Sequence, residues 1–222
     1  MKKMKSEICI SIGNLSYDEV LAHLKKISFA EIRIDLLNFS AEHFHSIFKS
    51  HHNLIASYRS GKLIEGKKAE ALINALHSGA SYVDIEVNTE EIVKKEIVEL
   101  AKKLNRKVII SYHNYNSTPA VDELYTITEN LFKSGADIAK LACMVNSPED
   151  NARILGLYAH FENLIAIGMG SGGVLTRVIA PLMGSPFAYA SIAGHETAPG
   201  QLDEVQLKTV INLLDSYTSG KE

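Results

Sequence analysis

Residues 29–52 read FAEIRIDLLNFSAEHFHSIFKSHH, and the fold is decided there. The first part alternates: Glu31, Arg33 and Asp35 share one face of an extended segment, and Ile32, Ile34 and Leu36 take the other. Behind Ser40, a residue suited to capping a helix, the apolar spacing lengthens from two to about 3.6 residues. A strand running into an amphipathic helix is the repeating unit of a parallel α/β sheet. The charge on this strand is the unusual part. A parallel strand covered on both faces should be almost continuously apolar, and here one face is ionisable.

The same unit recurs in both directions along the chain. Short runs rich in Ile, Val and Tyr predict strands at 7–13, 29–36, 54–59, 82–87, 107–113, 138–143, 164–169 and 187–192. Helical periodicity fills the gaps, near 16–27, 40–52, 67–78, 89–104, 121–133, 148–161, 174–183 and 203–217. Asn88 is placed to cap the helix beginning TEEIVKK, and Gly79 and Gly135 follow helices where a left-handed residue is wanted. Regular alternation implies right-handed crossovers. An open sheet of eight strands satisfies that alternation too. Eight units within 222 residues fit a single closed (β/α)8 TIM barrel better, with one domain spanning 1–222.

Composition narrows the function. A net charge of -3, with both signs spread along the chain, builds no basic face for a nucleic-acid partner. No apolar run approaches the roughly 18 residues needed to span a membrane. The N-terminal MKKMKSEICISIG lacks the apolar core and cleavage site of a signal peptide. Cys9 and Cys143 both fall inside strands, so a disulfide framework is not expected and a reducing, cytoplasmic setting is.

Other strands repeat the charged face: Ser57 and Arg59, Asp84 and Glu86, Ser111 and His113, and Lys140 between Ile138 and Ala142. An exposed sheet face would accommodate such charges, but helix-patterned segments occupy every gap. In a barrel the helices cover the outside, so these residues point inward and gather toward strand C-termini, where such barrels place their chemistry. Buried and unpaired they would cost several kcal/mol each, so they pair or meet a ligand. A buried lysine whose pKa is lowered is a nucleophilic amine. Lys140 is therefore a candidate for imine formation with a carbonyl, set against a purely structural pairing with a buried carboxylate. His113, on the neighbouring strand, suits proton transfer near neutrality. His43, His45, His51 and His52 lie on helix faces without a convergent carboxylate pattern, so no metal is expected. The loop GMGSGGVLTR offers glycines before a helix as a phosphate cradle, and Arg177 as a clamp for a carboxylate. HETAPGQLDE brings Thr197 and Gln201 beside a turn.

Seven short motifs in order carry a family resemblance: EIRID, YRS, VDIE, SYHN, ADIAKLACM, GVLTR and TAPGQ. Together they resemble the type I 3-dehydroquinate dehydratases over nearly the whole chain. The resemblance implies dehydration of 3-dehydroquinate in aromatic amino acid biosynthesis, without a cofactor, by a homodimer. It implies a Schiff base on Lys140 and acid/base chemistry by His113. Arg177, Thr197 and Gln201 would hold the substrate carboxylate end, and Glu31, Arg33 and Arg59 the hydroxyl and carbonyl end. Three departures stand out. Thr197 replaces a frequent serine, Tyr112 precedes the histidine, and RSGKLIEGKKAE is about two residues longer than usual, with Glu65 as the candidate support for His113. The runner-up reading is a Schiff-base class I aldolase on the same barrel, with GMGSGG as its phosphate site; a non-catalytic ligand-binding barrel is a third. Segments 60–68 and 193–201, containing glycines, are expected to close over the site.

Overall fold

A computed structural model describes residues 7–59 and 65–218, and within them strand and helix alternate eight times. The strands are β1 (Glu7–Ile12), β2 (Ala30–Arg33), β3 (Leu54–Ser57), β4 (Tyr82–Glu86), β5 (Lys107–Asn114), β6 (Ile138–Met144), β7 (Leu164–Met169) and β8 (Phe187–Ser191). The helices are α1 (Tyr17–Leu24), α2 (Ala41–Ser50), α3 (Glu65–Ser78), α4 (Glu91–Lys103), α5 (Val121–Lys133), α6 (Pro148–Gly156), α7 (Val174–Met183) and α8 (Glu204–Thr218). All strand pairs are parallel, in the order β7-β6-β5-β4-β3-β2-β1-β8. β1 pairing with β8 brings the chain's ends together, leaving only the β7–β8 seam without a ladder among the described strands. The fold is the (β/α)8 barrel, and the open sheet is set aside.

Strand alternation sorts the apolar residues into two cores. The outward ones, such as Ile10, Ile32, Ala56, Val83, Ile85, Ile110, Leu141 and Ala166, pack beneath the helices. The inward ones form a smaller cluster including Cys9, Phe29, Ile55, Ile109, Ile165 and Phe187. Read with the ladder registers, inward side chains fall into layers drawn from alternate strands. The floor comes from the even strands: Phe29, Tyr82, Ile138 and Phe187, with Phe29 edge-on to Phe187 at 4.8 Å between ring centroids. Cys9, Ile55, Ile109 and Ile165 lie above it. The next even-strand layer is Glu31, Asp84, Lys140 and Tyr189, followed by Ser11, Ser57, Ser111 and Ile167. The barrel is thus sealed and apolar at its N-terminal end, and its charge begins halfway up.

Some boundaries differ from the sequence reading. β2 stops at Arg33, and Asp35 lies in a 3-10 turn (Ile34–Leu36) instead of on the strand. There it takes both forks of Arg33, at 3.0 and 2.7 Å. β3 stops at Ser57, so Arg59 reaches into the barrel from beyond the strand end. Ser40 does cap α2, accepting from the His43 N–H, and Gly79 and Gly135 have φ of +115° and +100°. Asn88 does not cap α4. A turn closed by the Thr89 N–H on the Glu86 carbonyl (3.0 Å) uses that residue, and Glu90 becomes the N-cap. Among the described residues no helix is long and apolar enough to cross a membrane.

Candidate active site

The layer containing Lys140 is a closed electrostatic unit. Lys140 Nζ lies 3.0 Å from Asp84 Oδ2 and 3.9 Å from Glu31 Oε1, and 4.2 Å from the centroid of the Tyr189 ring. Arg59 grips both Asp84 oxygens, one of them at 2.8 Å, and touches Glu31 Oε1 at 3.4 Å. The serine layer above completes the carboxylates: Ser111 Oγ donates to Asp84 (2.6 Å) and Ser11 Oγ to Glu31 (2.6 Å). Two carboxylates thus face two cations in a space where Lys140 is only 5% exposed.

Burial sets the direction for Lys140, whose pKa is lowered first by desolvation and then by Arg59, against the pull of Asp84 and Glu31. Burial would raise Asp84, but Arg59 and Lys140 prevail and hold it well below the usual carboxylate range. Glu31 is lowered in the same way by Lys140 and Arg59. Desolvation, with Arg59 and Lys140 next, pushes His113 well below its ordinary value, so the imidazole is neutral at physiological pH.

This balance makes a stability prediction. Asp84→Asn strips Arg59 and Lys140 of their shared anion, a loss on the order of 3–5 kcal/mol for one partner of a buried pair. In the wild type the depressed folded pKa means the contribution of Asp84 is complete above the unfolded value of about 3.9. It declines as pH falls from there toward the folded pKa. Denaturant melts at neutral pH and at pH 3 check this: the gap between wild type and Asp84→Asn should narrow in acid, and an equal gap at both would refute it.

Arg177, from α7, is 5% exposed and ion-paired to no carboxylate among the described residues. It donates to the Pro199 carbonyl at 3.1 Å, its Nε has no partner among the described residues, and burial lowers its pKa to about 10. A buried cation left so poorly compensated is a receptor for an anionic group. The segment 193–201 lies down on the mouth. Arg33 donates to the Thr197 carbonyl (3.0 Å), and the Thr197 N–H donates to Gln201 Oε1 (2.9 Å). The Thr197 hydroxyl sits 2.7 Å from Ser11 Oγ. Segment 60–64 and the Glu65 side chain lie outside the described residues.

All eight candidates from the sequence, Lys140, His113, Glu31, Arg33, Arg59, Arg177, Thr197 and Gln201, line one cavity that opens at the C-terminal mouth. Three N–H groups of the glycine loop that a phosphate cradle would draw on are already engaged within the protein. Gly168, Gly170 and Gly173 N–H groups donate to Thr176 Oγ1, the Pro199 carbonyl and the Gly170 carbonyl. A Cβ on Gly173 would lie 2.2 Å from the Gly168 carbonyl carbon. These glycines permit close packing of the loop on β7, a use of glycine that needs no phosphate.

Sequence reasoning missed Ser11, Tyr115, Met169 and above all Tyr189, which also line the cavity. Tyr189 is the fourth member of the Lys140 layer, and its buried hydroxyl has no partner among the described residues. The alternation of FAYAS marked it as inward, but only the register sets it level with the lysine.

Comparison with known proteins agrees with this architecture. A 3-dehydroquinate dehydratase from Methanococcus maripaludis (strain C5) is 36% identical over 220 residues, covering 94% of this chain and all of the relative. One from Methanocaldococcus jannaschii is 33% identical over 94% of this chain and 99% of its own length. The solved 3-dehydroquinate dehydratase of Geobacillus kaustophilus superposes with a TM-score of 0.85 over 96% of this chain and 93% of that one; at 24% identity it speaks for the fold. The family model for type I 3-dehydroquinase matches residues 8–218, nearly the whole barrel, and the chain belongs to that family.

Proposed function

We propose that this chain is a hydro-lyase converting 3-dehydroquinate to 3-dehydroshikimate and water through an imine on Lys140. One observation carries the mechanism. A buried amine, held between Asp84 and Tyr189, shares a cavity with a neutral histidine and an uncompensated arginine. Lys140 gives a proton to the neutral His113 and attacks the C3 carbonyl as the free amine; His113 returns that proton to the carbinolamine hydroxyl, which leaves as water and gives a protonated imine. Its positive charge takes the place of the ammonium between Glu31 and Asp84, so the cluster keeps its balance. The imine is an electron sink that acidifies the C2–H bond. His113 takes that proton and returns it to the C1 hydroxyl, which leaves as water. Water then hydrolyses the conjugated imine and frees Lys140, for a net loss of one water.

Arg177 holds the substrate carboxylate, with Thr197 and Gln201 beside it. Glu31, Arg33 and Arg59 organise the carbonyl and hydroxyl end. The direct test is borohydride reduction in the presence of 3-dehydroquinate, followed by peptide mass mapping. A reduced adduct on Lys140 supports the reading, and turnover without any trappable adduct overturns the imine.

Arg177→Lys is expected to raise KM by about 10- to 100-fold, the equivalent of roughly 1.5–3 kcal/mol for a charge-assisted hydrogen bond. An ammonium cannot reproduce the planar fork. Steady-state kinetics check it, and an unchanged KM means the carboxylate is held elsewhere.

A further inference from the structure

Behind His113 stands a second ion pair that the proposed reaction leaves unused. Glu86, at the end of β4, directs Oε1 toward His113 Nδ1 at 3.6 Å, while its Oε2 accepts from Lys68 Nζ at 2.8 Å. Lys68 comes from α3 and is 8% exposed, uncommon burial for a lysine. His113 Nδ1 is itself buried and has no hydrogen-bond partner among the described residues. At 3.6 Å the Glu86–His113 contact is too long to be a hydrogen bond, yet short enough to become one when a bound ligand tightens the site.

We propose that Lys68 is a positioning residue that sets the basicity of His113 through Glu86. The proposal rests on the reading of His113 as the acid/base. One Glu86 oxygen is fixed by Lys68, so the other is presented to Nδ1 in a defined orientation, which favours the tautomer with Nε2 free to accept a proton. The Lys68 charge also offsets that of Glu86. Without that cation, a carboxylate this close would stabilise the imidazolium more strongly and raise the pKa of its partner. With Lys68 in place that pull is muted, and the histidine remains an unprotonated base.

Other charged groups among the described residues also bear on His113. Arg59 at the end of β3, Lys140 on β6 and Arg33 on β2 all disfavour its protonation, and Asp84 on β4 favours it. Tyr115 stacks on the ring with centroids 6.1 Å apart. Among the described residues, Glu86 is the carboxylate that approaches Nδ1, and its pair with Lys68 lies outside the lysine cluster, which makes that pair the adjustable element.

The test uses Lys68→Met, Lys68→Gln and Lys68→Arg in the full chain. The His113 ring titration is followed by carbon–proton NMR and assigned by its loss in His113→Gln. Its pKa should rise by roughly one unit in the Met and Gln variants, and return toward wild type in the Arg variant. The acidic limb of kcat should move up in parallel, because Lys140 no longer titrates once the imine has formed. Activity lost on that acidic limb should then recover as the pH is raised toward neutrality. Should Lys68→Met fail to fold, Lys68→Gln reads the same quantities with a hydrogen bond to Glu86 kept. An unmoved His113 titration with a pH-independent loss of kcat would assign Lys68 a structural role and overturn the proposal. A shifted titration in a protein that never dehydrates 3-dehydroquinate would leave the relay standing and remove the dehydratase reading instead.

Discussion

Lys140→Ala is expected to take dehydration below detection, on the order of a 10⁶-fold loss if the amine is a covalent nucleophile, while the barrel stays folded. The argument for lost activity is chemical. Without the imine, the C2 proton is flanked only by a neutral ketone, and among the described residues no other amine lies between Glu31 and Asp84 to take up the role. The argument for survival of the fold comes from what remains around the gap. Asp84 keeps Arg59 and Ser111, and Glu31 keeps Ser11 and Arg59, so neither carboxylate is left alone. The lowered pKa of Lys140 shows that burying its ammonium is unfavourable, and removing it relieves that penalty in part exchange for a small cavity. Circular dichroism and a thermal melt establish folding, and a coupled absorbance assay measures turnover. Residual activity near the wild-type level, or a borohydride adduct on another lysine, would remove Lys140 from the mechanism.

What made Lys140 legible in the sequence is the strand period of two. Once eight strand–helix units imply a barrel, every strand residue points either under a helix or into the interior. A charged residue among buried alternations then has only one direction to take. Glu31, Asp84, Ser111, His113 and Lys140 could all be read on that basis. Arg59 and Asp35 were less accessible, because they lie past the ends of β3 and β2, where the ladder and not the side-chain pattern decides where extension stops.

Tyr189 was hidden for a different reason. An inward aromatic looks the same in sequence whether it floors the barrel, as Phe187 does, or supports the lysine; only the β1–β8 register distinguishes the two. Lys68 carries no signal at all, since a lysine early in an amphipathic helix reads as solvated until its partner on a strand eighteen residues away is placed against it. The glycine loop misled because close packing and phosphate binding call for the same residue. The bond partners of its N–H groups separate those uses, and they are tertiary contacts.

His113→Ala is expected to separate imine formation from elimination. kcat should fall about 10²- to 10⁴-fold, the range for losing a positioned acid/base, while Lys140 remains able to attack the carbonyl. The imidazole is neutral because it is buried and because Arg59 and Lys140 face it, and both cations persist after the amine becomes an imine. A neutral base is therefore ready at the moment the C2–H bond turns acidic. Its conjugate acid, created beside two cations, releases its proton readily to the departing hydroxyl. In the alanine variant Glu86 lies behind the vacated ring and is held by Lys68, so it does not take over the transfer. The substrate imine should consequently accumulate. Borohydride added at intervals after mixing should trap an adduct carrying the mass of the undehydrated substrate, rising to one per chain, where the wild type passes through it in turnover. Trapping of the dehydrated product instead would put the slow step after elimination and assign the proton transfer to another group. Failure to trap anything, in a folded protein that still binds substrate, would show that His113 is needed to form the imine itself.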